Sequence, residues 1–255
     1  EMLAAGLPVV AVDLPELRPI AAQGLIRVGS TAADFAAAIE TSIADDSTAL
    51  IERRREFARA NTWEARFRQF EDGVRSITPL VSIVVVTFNN LELNRLCLSS
   101  LLQDTDYPNF EVIVVDNGSN DGTPGFLREL AARDSRLRIE LNADNRGFAG
   151  GNNQGVALAA GEFICLLNND TVVSGGWLST LIRHLQSEPQ LGIVGPVTNA
   201  TSNEAKIEVG YRRLAEMADW ADRWCAEHRG QTADTKMLAF FCIAFSRRLW
   251  DEIGT

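Results

Sequence analysis

Apolar runs and polar turns alternate regularly along residues 80–255. Four apolar runs end in segments rich in Asn, Asp or Gly, which is typical of buried strands followed by loops: Ser82–Val86, Val112–Val115, Leu137–Leu141 and Glu162–Leu167. Roughly 25–30 residues separate successive strand ends, which is the size of a strand-helix-strand unit. The pattern therefore predicts an α/β fold whose mostly parallel sheet is flanked by helices.

Helical periodicity fills the segments between these runs. It predicts helices over Leu91–Leu102, Thr123–Arg133, Gly150–Ala159 and Gly176–Ser187. Farther along, it predicts a strand at Leu191–Gly195, a helix at Arg212–Glu227, a strand at Lys236–Phe245 and a helix that Ser246 opens. The apolar face of the Arg212–Glu227 helix is expected to pack in the core.

The N-terminal third of the chain has a different pattern, with two short strands followed by three helices. The strands are predicted at Pro8–Val12 and Leu25–Val28. Thr31 is placed to cap the first helix, and Asp46 or Ser47 the second. Two strands do not form a stable sheet alone, so this segment is expected to be the end of a larger domain.

The third helix of this segment begins after Thr62 and carries an apolar stripe at helical spacing: Trp63, Phe67, Phe70, Val74 and Ile77. Such a stripe needs a partner surface, and we expect it to pack on neighbouring helices. Arg53–Arg55 is expected to form a solvated helix face. Pro79 ends the third helix, which predicts a domain boundary between residues 78 and 79.

Charge and composition argue against several classes of protein and of site. A net charge of −10 argues against a general nucleic-acid binder, because such proteins need clustered Lys and Arg. No apolar run approaches the ~20 residues of a membrane span. The four cysteines are widely spaced, which favours reduced thiols in the cytosol. His184 and His228 lie in polar helical stretches, so a histidine-based metal site or catalytic triad is not expected.

The loop after the second strand contains two carboxylates. Asp116 is the last strand residue, and the Gly-containing turn that follows it carries Asp121. A carboxylate at the end of a buried strand needs a partner, and Asp116 could accept a hydrogen bond from a nucleobase N–H. Asn120 and Asp121 could contribute to binding or could only build a turn that caps the next helix.

The loop after the third strand contains the only cationic side chain of the four loops, Arg146. Arg146 could bind a phosphate in bidentate geometry, or it could tie the loop to Asp116 or Asp144. Gly147–Gly151 follows the wrong strand and lacks the spacing for a dinucleotide fingerprint. It predicts a close backbone approach at a helix N-terminus, where free N–H groups favour an anion.

Asn168–Asp170 follows the fourth strand and supplies hard oxygen ligands. Asp170 is the predicted ligand of a Mg²⁺ or Mn²⁺ ion, because such ions use one or two carboxylates together with phosphates and water. Asn168 would offer its amide oxygen or contact a sugar hydroxyl. The alternative for Asp170 is a capping role for the helix near Gly176, from which Thr171–Val173 separates it.

Four segments, in this order, resemble the motifs of inverting family-2 glycosyltransferases, which have the nucleotide-sugar-binding GT-A fold: Val81–Asn89, Val114–Thr123, Asn145–Asn153 and Leu167–Thr171. The resemblance covers the whole second region. It implies that Thr87, Asn89 and Asp116 hold the nucleoside. It also implies that Asp121 and Arg146 lie near the base and the diphosphate.

We also expect Asn145, Gly147 and Asn168 to contact the nucleotide sugar. Asn168 stands where the family has the first of two aspartates, which leaves Asp170 as the one carboxylate for the divalent cation. The resemblance implies a UDP- or dTDP-sugar donor and a glycan or lipid-linked saccharide acceptor in polysaccharide or O-antigen synthesis. It implies hexosyl or rhamnosyl transfer in the cytoplasm, at the inner face of the membrane.

In that family an acidic pair downstream of the late strand supplies the general base. Asp251 and Glu252 come too early in the pattern, so the base is expected beyond Thr255. The resemblance therefore implies that this chain binds the donor but transfers sugar weakly or not at all.

Glu1–Ala11 resembles the closing part of a family-4 glycosyltransferase with the two-domain GT-B fold. This resemblance implies that residues 1–78 are the C-terminal remnant of such a domain in a tandem glycosyltransferase. Two other functions stay open for residues 79–255. A nucleotidyltransferase would need a Gly-rich, basic loop directly after the first strand, where Thr87–Asn90 stands. The non-enzymatic alternative is a module that binds nucleotide sugars or carbohydrate.

Overall fold

The computed structural model describes residues 1–188 and 190–253. The chain divides into two compact units, of which the first spans Glu1–Val74 and the second begins at Arg75. This division lies four residues before the predicted boundary.

The first unit contains two parallel strands and a series of helices: α1 Met2–Ala5, β1 Val10–Val12, α2 Arg18–Ala22, β2 Arg27–Gly29, α3 Ala32–Ala44, α4 Thr48–Ala60 and the first twelve residues of α5 Trp63–Ile77. The short helices α1 and α2 were not predicted. Thr31 caps α3 in a capping box with Asp34, and Ser47 rather than Asp46 caps α4. Each cap satisfies backbone N–H groups that have no partner inside the helix.

Arg54 contradicts the prediction of a solvated arginine face on α4. Its side chain is buried, donates to the carbonyl oxygens of Gly6 and Leu25, and pairs with Asp46 at 2.5 Å. The guanidinium has five N–H donors, so it can join segments that are distant in sequence. The pattern of charges along a helix could not show that backbone carbonyls from distant segments would bind this side chain.

The apolar stripe of α5 is largely exposed, so the prediction that it packs on neighbouring helices was wrong. Trp63, Phe67, Phe70 and Ile77 keep 60–89% of their accessible surface. Helical periodicity identifies an apolar face, but it does not say what covers that face.

The second unit is built around a six-stranded sheet. Its elements are β3 Val81–Thr87, α6 Leu91–Asp104, β4 Phe110–Asp116, α7 Thr123–Arg133, β5 Leu137–Leu141, α8 Gly147–Leu158, β6 Phe163–Asn168, α9 Trp177–Ser187, β7 Ile193–Val194, a 3₁₀ helix Leu214–Glu216, α10 Met217–Glu227, β8 Cys242–Ser246 and α11 Arg247–Ile253.

The strand order is β5-β4-β3-β6-β8-β7. The first four strands in this order are parallel, whereas β8 is antiparallel to both β6 and β7. The prediction of a mostly parallel α/β sheet is therefore confirmed. Parallel strands that are buried on both faces read as continuous apolar runs, which is why the sequence showed them clearly.

Several predicted bounds differ from the structure. Helix α8 begins at Gly147, three residues before the predicted start. The strand predicted at Lys236–Phe245 is confined to β8. The backbone before β8 bonds to loops instead; for example, the Asn203 side chain donates to the Met237 carbonyl. The α10 helix has no fully buried residue and begins at Met217, so the prediction of core packing was wrong. Gly254 and Thr255, which end the predicted last helix, lie outside the described residues.

The core of the second unit lies on both faces of the sheet. One face packs against α6, α7 and α9, and the other packs against α8 and α11. Cys97, Cys165 and Cys242 are buried as free thiols within it. Burial raises the pKa of the Cys97 thiol to about 12, so this residue is neutral at physiological pH.

Helix α8 approaches β3 so closely that two of its glycines, Gly151 and Gly155, leave no room for side chains. A Cβ atom on Gly151 would lie 2.8 Å from Val86 Cγ1, and one on Gly155 would lie 2.3 Å from Val84 Cγ1. Gly151, in the glycine-rich segment, thus makes a close backbone approach to β3, whereas the approach of an anion to the N-terminus of α8 stays a prediction. The contact with β3 brings the N-terminus of α8 to the edge of the sheet where β3 ends.

Gly155→Ala should destabilise the protein by about 1–3 kcal/mol, because the new methyl group overpacks the α8–β3 contact. Gly125→Ala in α7 is the matched control, since nothing lies within 4 Å of its Cβ position. The control should stabilise by about 0.5–1 kcal/mol through helix propensity. Urea unfolding measures both changes. Equal stabilisation by both substitutions would contradict the close packing.

Candidate functional site

The carboxyl ends of four parallel strands form one edge of the sheet in the second unit. Thr87, the last residue of β3, pairs in register with Asp116 at the end of β4, and Asp116 pairs with Leu141 at the end of β5. On the other side of β3, Val86 pairs with Asn168 of β6. Neighbouring strands lie about 4.8 Å apart. The loops that carry the predicted site residues therefore start side by side, and ligands of open α/β sheets bind at such an edge.

Asp116 is the buried centre of this edge, with 1% of its surface exposed. Its Oδ1 accepts hydrogen bonds from the hydroxyls of Thr87, at 2.9 Å, and Ser119, at 2.5 Å. Its Oδ2 accepts from the Ser119 backbone N–H at 3.0 Å. A carboxylate has about four acceptor positions, so one is left without a partner among the described residues. The three bonds compensate for burying the charge and fix the direction of the free position.

Asn89 holds the first loop against the second one. Its backbone N–H donates to Ser119 Oγ at 2.7 Å, and its side-chain oxygen accepts from the Asn120 N–H at 2.9 Å. Asn89 and Asn90 both have positive φ, at 54° and 60°, a conformation that Asn tolerates better than most residues. The Asn89 side-chain NH₂ group has no hydrogen-bond partner within the described residues, so it can donate to a ligand.

Asp121 caps two helices at once. Its carboxylate accepts from the backbone N–H groups of Leu91 at 3.1 Å and Thr123 at 2.9 Å, the first residues of α6 and α7. Desolvation raises the pKa of Asp121, but the hydrogen bonds from Thr123 and Leu91 outweigh it, so the pKa lies below its ordinary value. The capping alternative from the sequence is therefore realised, and a role near the diphosphate stays a prediction.

The third loop presents Arg146 at the start of α8. Asn145 Oδ1 accepts from the Gly147 N–H at 2.8 Å, and Gly147 has a φ of 73°. The Gly147 carbonyl accepts from Asn117 Nδ2 at 3.0 Å, which ties this loop to the second one. Within the described part of the chain, the exposed Arg146 side chain forms no hydrogen bond or ion pair, so the tie to Asp116 or Asp144 is not formed.

Asn168 ends β6, and Asp170 lies in the loop that follows this strand, on the other side of β3 from β4. The Asn168 backbone donates to the Phe241 carbonyl at 2.7 Å and accepts from Thr171 and Cys97. Asp170 is exposed, and its carboxylate has no hydrogen bond or ion pair within residues 1–188 and 190–253. Gly176 stands at the N-cap of α9, with no side-chain cap bond. The capping alternative for Asp170 is therefore not realised.

Two site residues were missed in the sequence. Ser119 connects Asp116 to Asn89, and its position in a polar turn gave no distinguishing signal. Asn94 is fully buried in α6, where it follows the spacing of the core residues Cys97, Leu98 and Leu101. A polar residue at a core position of a helical stripe was a signal that could have identified Asn94.

The described residues form neither a cluster of metal ligands nor a membrane-spanning helix. No group of three or more His, Cys, Asp or Glu side chains among them could hold a metal ion. A divalent cation at Asp170 would therefore need ligands from a substrate and from water. None of the described helices has the length and hydropathy needed to cross a bilayer.

Residues 82–254 match the family model described as glycosyl transferase family 2. The O-antigen biosynthesis protein RfbC of Myxococcus xanthus is 38% identical to this chain over 187 residues, which are 69% of this chain and 14% of RfbC. A Campylobacter jejuni protein named GalNAc(5)-diNAcBac-PP-undecaprenol beta-1,3-glucosyltransferase is 35% identical over 106 residues, which are 41% of this chain and 34% of that protein.

The fold is similar to that of the mannosyltransferase PcManGT from Pyrobaculum calidifontis, solved in complex with GDP-Man and Mn²⁺. The TM-score is 0.52, with 23% identity, covering 74% of this chain and 53% of PcManGT. At this identity the similarity concerns the fold. This chain spans about half or less of the length of each of these relatives.

Proposed function

Because the chain belongs to glycosyl transferase family 2, we propose that it binds a UDP- or dTDP-sugar in the crevice at the carboxyl ends of β3, β4, β5 and β6. In this proposal the sugar passes, with inversion, to a glycan or lipid-linked saccharide. The observation that carries the proposal is that Arg146 and Asp170 stand unpaired, among the described residues, in loops at the same sheet edge as the buried carboxylate of Asp116. One positive and one negative group at the same sheet edge suit a diphosphate and its cation.

The nucleoside is assigned to the β3 and β4 ends. The free acceptor position of Asp116 would take a base N–H, and the Asn89 NH₂ group would donate to the nucleoside. Thr87 donates its hydroxyl to Asp116 at 2.9 Å, so it supports the carboxylate and does not contact the base through this proton. Asp121 would contribute indirectly, by fixing the first turns of α6 and α7.

The diphosphate is assigned to the N-terminus of α8. Arg146 would pair with phosphate oxygens, since its planar guanidinium suits them. Asn145 and Gly147 hold the turn that presents Arg146, and the first backbone N–H groups of the helix add partial positive charge. Arg146 would stabilise the charge on the diphosphate as the sugar leaves.

Asp170 and Asn168 fit a hard divalent cation such as Mg²⁺ or Mn²⁺, because both offer oxygen atoms and the Asp170 carboxylate has no partner within the described residues. Such an ion, when bound, would neutralise charge on the departing diphosphate. One carboxylate is enough only if the phosphates complete the coordination. We therefore expect metal and nucleotide to bind together.

The base that activates the acceptor is not assigned. Glu252 is held by Arg248 at 2.9 Å on the exposed side of α11, and neither it nor Asp251 is given a catalytic role. Weak transfer by this chain stays a prediction, as do the hexosyl or rhamnosyl type and the place at the inner face of the membrane. Comparing the transfer rate of this chain with that of a C-terminally extended chain tests the prediction of weak transfer.

Calorimetric titration with UDP, dTDP, GDP and ADP tests the proposed function. We expect saturable binding of UDP or dTDP that Mn²⁺ tightens. Uridine and thymidine, which lack the diphosphate, serve as controls and should bind more weakly. If none of the four diphosphates binds with or without Mn²⁺, the proposed function is wrong.

The first unit, together with residues 75–78, is proposed to be the remnant of a family-4-like domain with no nucleotide site of its own. Deleting Glu1–Val74 should change UDP or dTDP affinity by no more than about twofold, because independent sites contribute additively. Calorimetry on the shortened chain checks this, with thermal unfolding as the control for its integrity. A large loss of affinity in a well-folded variant would show that the first unit contributes to binding.

A further inference from the structure

We infer that Asn94 is a positioning residue for the donor site, an inference that rests on the proposed function. Asn94 lies in the first turn of α6 and is fully buried. None of its atoms is assigned to contact the nucleotide or the metal. It would act by fixing three loops that carry the proposed contacts to the nucleotide and the metal.

The side chain of Asn94 reaches the loops after β3, β4 and β6. Its NH₂ group donates to the Asn89 carbonyl at 2.8 Å and to the Thr123 hydroxyl at 3.0 Å. Its oxygen accepts from Asn169 Nδ2 at 2.6 Å. Two donors and one acceptor are therefore used in three directions, which an amide provides and an apolar side chain of similar size does not.

Two of the three partners of Asn94, Asn89 and Asn169, lie next to proposed binding groups. Asn89 is held against Ser119, which in turn holds Asp116. Asn169 lies between Asn168 and Asp170. Asn94 thus couples the position of the proposed metal carboxylate to that of the proposed nucleoside carboxylate.

Stability alone would favour a different residue at this position. Asn94 follows the helical spacing of the buried residues Cys97, Leu98 and Leu101, where an apolar side chain would contribute burial. A buried amide is costly unless all its groups are bonded, and networks of this kind fix a unique arrangement when fully satisfied. The bonded amide of Asn94 therefore indicates that this position serves to fix the geometry of the loops. Packing alone would favour an apolar side chain here.

The inference predicts a specific loss in Asn94→Ala. The Asn169 side chain loses its acceptor, so Asp170 is held less firmly relative to the nucleoside site. The gain in UDP or dTDP affinity that Mn²⁺ provides should fall by about tenfold, the effect of losing one or two buried hydrogen bonds. Nucleotide affinity without metal should fall less.

The test combines this measurement with hydrogen exchange of the backbone amides, which needs no ligand. Asn94→Ala should raise exchange in residues 89–91 and 168–171. Thr105→Val is the matched control: Thr105 is a buried residue at the other end of α6, and it accepts from Trp177 Nε1 at 3.0 Å. The control loses a buried hydrogen bond on the same helix but should leave both segments and the Mn²⁺ gain unchanged.

A double-substitution cycle tests whether Asn94 acts through Asn169. If it does, Asn169→Ala in the Asn94→Ala background should cost little more Mn²⁺-dependent affinity than Asn94→Ala alone. Fully additive losses, or an unchanged exchange rate in residues 168–171, would overturn the inference. If the parent chain binds no nucleotide, the proposed function fails, while the exchange measurement still decides whether Asn94 holds the loops.

Discussion

Asp116→Ala is expected to reduce the affinity for UDP or dTDP by about 100-fold, since hydrogen bonds to a buried charged group each contribute strongly. The substitution removes the proposed acceptor for the base. It also frees the hydroxyls of Thr87 and Ser119, which the carboxylate now holds at 2.9 and 2.5 Å. Calorimetry with the preferred nucleotide measures the change.

Two further variants separate the causes of this loss. Asp116→Asn keeps the shape and one acceptor oxygen, so it should lose less affinity than the alanine variant. Asp106→Ala removes a carboxylate that accepts hydrogen bonds from Gly176 and Ser179 at the start of α9, and should leave affinity unchanged. If Asp116→Ala binds both nucleotides as tightly as the parent, the assignment of the crevice is wrong.

Asp170→Ala is expected to abolish the tightening of nucleotide binding by Mn²⁺. Affinity without metal should stay within about twofold of the parent, because the Asp170 carboxylate has no described partner whose loss would disturb the loop. Titrations at several Mn²⁺ concentrations give the metal-dependent gain for each variant.

Asp144→Ala is the matched control for this experiment. Asp144 is also an exposed carboxylate in one of the four loops, so its removal changes the local charge equally. Mn²⁺ should still tighten nucleotide binding in this variant. If Asp144→Ala rather than Asp170→Ala removes the metal effect, the cation lies in the third loop and not after β6.

The sheet could be predicted because its signals are local. Buried parallel strands are continuous apolar runs, and β5 and α7 begin and end where the pattern placed them. The antiparallel β8 could not be oriented from its sequence, because an apolar run carries no information on strand direction. Helical periodicity likewise marks the apolar face of α5 without showing whether anything covers it.

The types of site residue could be predicted, but their partners within the protein could not. Polar residues at strand ends indicated a crevice, since parallel strands bring those ends together. Whether Thr87 or Asn89 faces a ligand or another loop depends on contacts between residues about 30 positions apart. Such contacts leave no periodic trace, so Ser119 was missed. Asn94 was missed although its polar side chain at a core position of α6 was a signal.

A nuclear magnetic resonance titration of the chain tests the central claim most directly. Adding UDP or dTDP should shift backbone amide signals in residues 87–91, 116–123, 145–151 and 168–171, the four loops of the crevice. Substoichiometric Mn²⁺ should then broaden signals around Asp170 first. Shifts confined to residues 1–74, or broadening centred away from Asp170 in the presence of nucleotide, would contradict the account.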